Sequence, residues 1–389
     1  MSLPLAGLTV IALEQAVAGP FASRQLADLG ARVIKIERDS GDFARRYDVS
    51  VRGESSYFVW LNRGKESVVL DLKKEEDFGV LRQMVMTADV LIQNLAPGAL
   101  DRLGLSAEAA LDLNPRLIYT SISGYGADGP YSRRKAYDLL VQCESGMLSV
   151  TGTSDEPAKA GISIADVSAG MYAFSGILTA LLQRSVTGEG DILEISMLEA
   201  MTEWMAQPLL YTMYSNSAPP RSGAHHASIA PYGPFDTADG TVFLAVQNDR
   251  EWARFASKIL GAGHLADDER FASNTSRVVN RVFLHDAISS RLGALATEEV
   301  ERALDGAGIA HARLRSMMEV AEHPQLRARD RWRTVHTSAG EIAALLPPVT
   351  SRSFEYRMGD VPTLGQHTDA VGREFARTSG GSVPRRTPQ

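Results

Sequence analysis

The 389-residue chain contains one cysteine, Cys143, which excludes an internal disulfide and any metal site built from several thiolates. The cysteine falls in a helical stretch and reads as a core residue rather than a nucleophile. No apolar run approaches the roughly 18 residues of a membrane span. The N-terminus has no basic leader region, and Glu14 and Gln15 cut short its first apolar stretch. These absences predict a cytoplasmic protein with no membrane partner. Excess positive charge is also missing. A net charge of −7 argues against a general nucleic-acid binder, whose affinity would come from neutralising phosphates. His225 and His226 are adjacent, but no further Cys or well-spaced His accompanies them, so no metal is expected and a polar pocket lining fits them better. There are no internal repeats.

What is present is alternation. A β-type run at Leu8 to Leu13 is followed by Ala18-Gly-Pro20, a helical pattern from Phe21 to Leu29 closed by Gly30, and a second strand from Ala31 to Ile36. Glu37 ends that strand as in dinucleotide-binding folds, although the turn before the helix lacks G-x-G-x-x-G. Strands at Ser67 to Leu72, Asp89 to Gln93 and Leu117 to Ser123 alternate with helices at Glu75 to Thr87, after Pro97 and at Ala107 to Leu113. This order predicts a largely parallel sheet covered on both faces, with ligands gathering at its strand ends. Arg38, Lys73 and Asn94 stand at such ends, and Arg102 lies one helix later. The glycines of Ser123-Gly-Tyr-Gly126 could let the backbone approach a ligand closely, or could belong to a plain connecting loop.

The composition changes at Tyr214 to Gly223, a Ser/Pro-rich linker, and again from about His323 to Arg333. The expected layout is a large domain at 1–215, a small domain at 216–325, a return to the large domain at 326–377, and a disordered tail at 378–389 rich in Gly, Ser, Pro and Arg. Between the linkers, two β-type runs flank Ala238-Asp-Gly240 and a helical pattern runs from Glu251 to about Glu322.

Asp166 in Gly161-Ile-Ser-Ile-Ala-Asp166 precedes apolar residues at Val167, Met171, Phe174, Leu178 and Leu181, the spacing of a helix buried along one side. The carboxylate stands at the helix start, where unpaired N–H groups and the positive dipole end would keep it ionised. An ordinary N-cap would have the same spacing.

Ten segments in a fixed order resemble the family III CoA-transferases, the group that includes formyl-CoA transferase and carnitine CoA-transferase. They are Ala18-Gly-Pro20, Leu29 to Glu37, Asn62-Arg-Gly-Lys65, Leu70-Asp-Leu-Lys73, Ala88 to Asn94, Pro97-Gly98, Arg102-Leu-Gly-Leu105, Ser123-Gly-Tyr-Gly126, Ile164-Ala-Asp166 and Leu364 to Thr368. The resemblance implies that Asp166 is the catalytic residue, attacking an acyl-CoA thioester to give an acyl-aspartyl anhydride and then an aspartyl-CoA thioester. It places Arg38, Leu70, Lys73, Asn94, Leu95, Arg102, Lys135, Ala136 and Tyr137 around coenzyme A. The CoA thioesters are substrates, and no permanently bound cofactor is implied. The implied fold is a Rossmann-like large domain with a parallel sheet plus a smaller α+β domain, two copies interlocking as a homodimer.

Formyl-CoA transferases carry Gln where this chain has Val17, and a glycine-run loop where it has Ile229-Ala-Pro-Tyr-Gly233. The segment Gly223 to Gly233 looks instead like the branch that moves CoA from succinyl-CoA to short dicarboxylic acids such as citramalate, itaconate, malate or glutarate-type acids. His226 and Arg46 are the candidates for the distal carboxylate. Two alternatives remain at this point. A 2-methylacyl-CoA racemase would need a His base near Tyr137, where a phenol with pKa near 10 serves poorly. A non-catalytic CoA-binding protein would keep its effect without Asp166.

Overall fold

The computed structural model describes residues 3–376. The tail expected at 378–389 lies outside the described residues. Two compact units divide the chain. Residues 3–145, 160–204 and 326–376 form the first, and 146–159 with 205–325 form the second.

The first unit begins with β1 (Thr9–Leu13), α1 (Ala18–Asp28), β2 (Arg32–Glu37), a 3-10 turn (Phe43–Arg46), α2 (Ser56–Asn62) and β3 (Lys65–Val69). It continues through α3 (Glu75–Thr87), β4 (Val90–Gln93), a second 3-10 turn (Asp101–Leu103), α4 (Ala107–Leu113), β5 (Ile118–Ser123) and α5 (Asp138–Glu144). Helix α6 (Met147–Val150) belongs to the second unit; α7 (Ile164–Thr187), β6 (Asp191–Ser196) and α8 (Met197–Trp204) return to the first. All six strands pair in parallel, in the order β3-β2-β1-β4-β5-β6. The chain reverses its direction of travel across the sheet between β1 and β4. In sheets of this kind ligands collect beyond the strand C-termini at that reversal.

Burial on both faces explains why β1, β2 and β4 read as almost continuous apolar runs. Ile11, Leu13, Ile34, Ile36, Val68 and Leu91 pack one face against Leu81, Met84 and Val85 of α3 and against Val371 and Phe375 of the C-terminal helix Thr368–Ala376. The other face is covered by α1 and α7, which lie close together. A Cβ on Gly170 of α7 would stand 2.7 Å from the carbonyl oxygen of Ala18, so only glycine permits this approach. Helix α7 is also long and apolar enough in composition to cross a membrane; here it packs against α1, α8 and β6. Gly188, at φ +81°, ends it.

The second unit has an antiparallel sheet of Tyr232–Asp236, Thr241–Ala245 and Ala310–Arg313, with the first two strands joined through the turn at Gly240. Phe235, Val242, Leu244, Trp252, Phe255 and Leu304 centre its own core, shared with helices Asp249–Lys258 and Thr297–Ala307.

Several local expectations change. The helix expected after Pro97 is only the 3-10 turn Asp101–Leu103, stopped by Gly104 at φ +79°. The apolar stretch around Met197 to Leu210, which reads in sequence as one helix, is two, α8 and Ala206–Ser215, which fall in different units. The third strand starts at Lys65 and ends at Val69, before Leu72. Cys143 does lie in a helix, but on its exposed side, not in the core.

Candidate active site

Asp166 is the third residue of α7 and caps nothing on its own helix; the N-cap residue is Ser163, which makes no side-chain cap either. The capping is done from outside. Asp138, first residue of α5, places Oδ1 at 2.8 Å from the Ala165 amide and 3.3 Å from the Asp166 amide. Its Oδ2 accepts from Gln142 Nε2 at 2.6 Å, and Gln142 in turn accepts from the Ala160 amide at 2.9 Å. With this role filled, the Asp166 carboxyl is left to the start of a different helix, where the backbone N–H of Ala18 favours its charged form. Ala18 opens α1, whose own N-cap Val17 supplies no side-chain acceptor.

The expectation of a firmly ionised Asp166 is corrected here. Burial pushes its pKa up to about 7, the like charge of Asp138 adds to the shift, and the Ala18 amide only partly opposes them. Helix-end electrostatics favour the anion, but loss of water outweighs them. A carboxyl titrating near neutrality is both a usable nucleophile and a usable leaving group at cellular pH.

Aromatic groups stand beside it. Tyr47, just past the first 3-10 turn, packs edge-on to Tyr57 with centroids 5.4 Å apart and lies 5.6 Å from Phe43. Burial, and then the charges of Asp42 and Asp166, push the Tyr47 phenol up to about 12. It therefore remains a neutral hydroxyl donor at physiological pH. Tyr137, whose phenol also acts on Tyr47, is 66% exposed.

The turn that delivers the Ala18 amide is held across the crevice between β1 and β4. Asn94 accepts the Gln15 amide at 2.8 Å and donates to the Gln15 carbonyl at 2.8 Å. Ala16, next in the chain, has φ +62°, a left-handed conformation uncommon for a residue with a Cβ.

The residues expected around coenzyme A come from one edge of the sheet, beyond the C-termini of β2, β3, β4 and β5. They are not equivalent. Arg38, Lys73, Arg102 and Lys135 are exposed and available for phosphate oxygens, Arg102 donating meanwhile to the Pro97 carbonyl at 3.3 Å. Leu70 is a buried member of the core, and the side chain of Asn94 is committed to Gln15. The Leu95 amide donates to Gln93 Oε1 at 3.0 Å. Ala136 packs where a Cβ on Gly124 would stand, 2.1 Å away, so that glycine admits neighbouring protein rather than a ligand. A cavity of about 230 Å³ opens beside this edge, lined by Gln93, Leu95, Gly98, Tyr119, Ser121 and Ser123 among others.

Arg46 is exposed and donates to the Ser40 carbonyl at 2.7 Å. His226 lies in the second unit, stacked on Tyr232 with centroids 5.2 Å apart and accepting the Ser228 amide at 3.2 Å. Its neighbour His225 packs 4.4 Å from His285, whose pKa burial lowers to about 4. Among the described residues no cluster of three His, Cys, Asp or Glu groups is arranged to hold a metal.

Asp138, Tyr47 and Tyr57 were not legible as site residues. Nothing in their local sequence distinguishes them, because they join the site through the fold. Lys35 did carry a signal, as the one charged residue between Val33, Ile34 and Ile36 in a strand buried on both faces.

An open parallel sheet with a near-neutral carboxyl set against a helix start defines an α/β protein equipped for acyl chemistry at a side-chain carboxylate. More specifically, the chain belongs to CoA-transferase family III, whose family model matches residues 5–368. It is 36% identical over 383 residues to the succinate–glutarate CoA-transferase of Agrobacterium fabrum, covering 96% of both chains. To the acetyl-CoA:oxalate CoA-transferase of Acetobacter aceti it is 35% identical, covering 96% of both. The crystal structure of a CAIB/BAIF family protein from Brucella suis superposes with a TM-score of 0.85 at 34% identity, covering 96% of this chain and 100% of that one. The protein is thus a CoA-transferase enzyme with CoA thioesters as substrates.

Proposed function

We propose that this enzyme moves CoA from succinyl-CoA to a short dicarboxylic acid, with Asp166 as the covalent carrier. An Asp166 oxygen attacks the thioester carbonyl, and the C–S bond breaks to release CoA thiolate and leave a succinyl-aspartyl anhydride. The thiolate then attacks the aspartyl carbonyl, freeing succinate and forming an aspartyl-CoA thioester. The acceptor carboxylate attacks that thioester, and the returning thiolate takes the acceptor's acyl group, restoring the Asp166 carboxylate. No water enters the balance, so a nucleophile partly withdrawn from solvent conserves the thioester that hydrolysis would waste.

The observation that carries this reading is the carboxyl itself, ionisable near pH 7 and set beside the start of α1, which no side chain caps. Backbone N–H groups there can accept the charge that develops on the acyl oxygen. The preference for a dicarboxylic acceptor draws on the relative named for succinate and glutarate. A relative named for oxalate is almost as similar, so oxalate belongs among the acids compared. We assign Arg38, Lys73, Arg102 and Lys135 to the CoA phosphates, and the main chain at Leu70, Asn94, Leu95, Ala136 and Tyr137 to the rest of the cofactor. His226 and Arg46 are assigned to the distal carboxylate. We also read the protein as a homodimer, because large apolar side chains stand exposed on α7, with Leu182 at 70% and Val186 at 82%, and on Ala206–Ser215, with Met213 at 60% and Tyr214 at 81%.

Intact-protein mass spectrometry after incubation with succinyl-CoA tests the chemistry. A CoA-sized adduct mapped to Asp166, absent in Asp166→Ala and discharged by one dicarboxylic acid of a panel including oxalate, is the expected result. An unmodified protein that exchanges only the α-proton of a 2-methylacyl-CoA would replace the transferase reading by racemisation.

A further inference from the structure

Between β1 and α1 the chain runs Glu14-Gln15-Ala16-Val17, and charges out of reach of solvent hold it. The side chains of Glu14, Lys35, Asp42 and Lys65 are all fully buried. Lys35 Nζ lies 2.9 Å from Asp42 Oδ2 and donates to the Glu14 carbonyl at 3.3 Å. The other oxygen of Asp42 accepts the Ala16 amide at 3.1 Å and the Ala44 amide at 2.9 Å. Lys65 Nζ reaches Glu14 Oε1 at 2.6 Å, the Pro20 carbonyl at 3.1 Å and Asn62 Oδ1 at 3.0 Å, while Glu14 Oε2 accepts from Ser23 at 2.7 Å. Two acids and two lysines thus interlock, burial lowering the Lys65 ammonium to about 7, and between them they fasten both ends of the turn.

Buried ion pairs are poor sources of stability, because apolar side chains of similar volume serve as well or better. What they can do is hold one conformation against its alternatives. Here the conformation is that of Ala16, left-handed at φ +62° and held through its own N–H by Asp42. Two residues further on, Ala18 packs against α7, its carbonyl oxygen 2.7 Å from where a Cβ on Gly170 would stand, one helical turn beyond Asp166, and its amide favours the charged form of that carboxyl. None of the four charged side chains hydrogen-bonds to Asp166 itself.

We propose that Asp42, supported by Lys35, is a positioning residue for CoA transfer: by fixing Ala16 it sets the start of α1 against Asp166, and so sets the rate at which that carboxyl is acylated. This rests on Asp166 being the nucleophile. The groups that act on Asp166 are the Asp138 carboxylate from α5 and the Ala18 amide from α1; the charge of Asp166 in turn raises the Tyr47 phenol on the 3-10 turn side. The Arg24–Asp28 pair on α1, Glu144 on α5, Glu199 and Glu203 on α8, and Asp191 and Glu194 on β6 are the other charges on elements packed around α7, and they contribute nothing to the Asp166 shift. Withdrawing the Ala18 amide removes the one contribution that favours the anion, so the ionisation midpoint must rise.

Two double variants separate positioning from stability, since both remove the buried ion pair. Lys35→Met/Asp42→Asn keeps an oxygen for the Ala16 amide, and Lys35→Met/Asp42→Ala does not. In single-turnover acylation by succinyl-CoA, the alanine variant is expected to react about tenfold slower or worse. Its acidic midpoint should rise by about half a pH unit or more, with CoA affinity within about twofold of wild type. The asparagine variant should recover most of the rate and the wild-type midpoint. If both variants lose rate equally with unshifted midpoints, in step with their melting temperatures, the proposal is overturned. Ala16→Pro leaves all four charges in place while forbidding the left-handed turn, and stands in should the alanine variant not fold. It should reproduce the slow acylation and the raised midpoint, and an unmoved midpoint overturns the proposal. Wild-type protein that forms no adduct at Asp166 would instead defeat the nucleophile assignment, whatever the variants do.

Discussion

Asp138 supports and opposes Asp166 at once: its carboxylate accepts the Asp166 amide at 3.3 Å, while its charge makes the Asp166 carboxyl harder to ionise. The first effect anchors the start of α7. The second adds to the larger effect of burial in moving the nucleophile's titration toward neutrality.

Asp138→Asn separates the two, because the amide oxygen can still accept from Ala165 and Asp166. The acidic limb of the acylation rate should move down by roughly one pH unit. Asp138→Ala should in addition lose about 1 kcal/mol of stability with the cap. A pH–rate profile and a melting curve for each variant check both statements.

The raised pKa of Asp166 has a sign that stability measurements can read. Its folded value, about 7, lies above its ordinary value of 3.8, so ionisation costs the folded state more than the unfolded chain. That penalty is absent below about pH 4, grows between about pH 4 and 7, and is constant above. Asp166→Asn should therefore gain stability over wild type as pH rises through this window. The ceiling is about 4 kcal/mol and the realised gain is smaller, since the group is only half-buried. Urea unfolding at the two ends of the window measures it, and a gap that does not widen would contradict the burial argument.

Gly170→Ala should disturb chemistry more than CoA binding. The new methyl would stand 2.7 Å from the Ala18 carbonyl oxygen and 3.0 Å from Phe21 Cδ1, forcing the start of α1 away from α7. Overpacking of this kind costs about 1–3 kcal/mol. A lower kcat with KM for acyl-CoA nearly unchanged is the expected pattern.

At the strand-end edge, exposure divides the expected CoA contacts into two groups. Arg102→Ala or Lys73→Ala should raise KM for acyl-CoA up to about tenfold with little change in kcat, less so at high salt. Leu70→Ala should instead lower stability by about 2–4 kcal/mol, because its side chain belongs to the core. Steady-state kinetics beside chemical denaturation distinguishes the groups.

The order of strands and helices was legible from residues alone. Helices α3 and α4 span the residues their apolar periodicity marks, since burial on a sheet face selects that pattern locally. Where local signals compete, the reading failed. The apolar stretch from Met197 to Leu210 carries no break that periodicity detects, yet it divides at Met205. Cys143 has the composition of a core position and the exposure of a surface one.

By itself, the sequence determined the parallel sheet, the helix start that carries Asp166 and the family to which the chain belongs, because each is written in short-range periodicity or in ordered motifs. Only the tertiary structure decided how Asp166 titrates and what holds it. Its pKa is set by loss of water, by Asp138 28 residues away in the chain, and by an amide on another helix. The turn bearing that amide is fastened by Asn94 from 79 residues away. Burial and Coulombic interaction depend on distance in space, and the spacing of residues along the chain does not contain it.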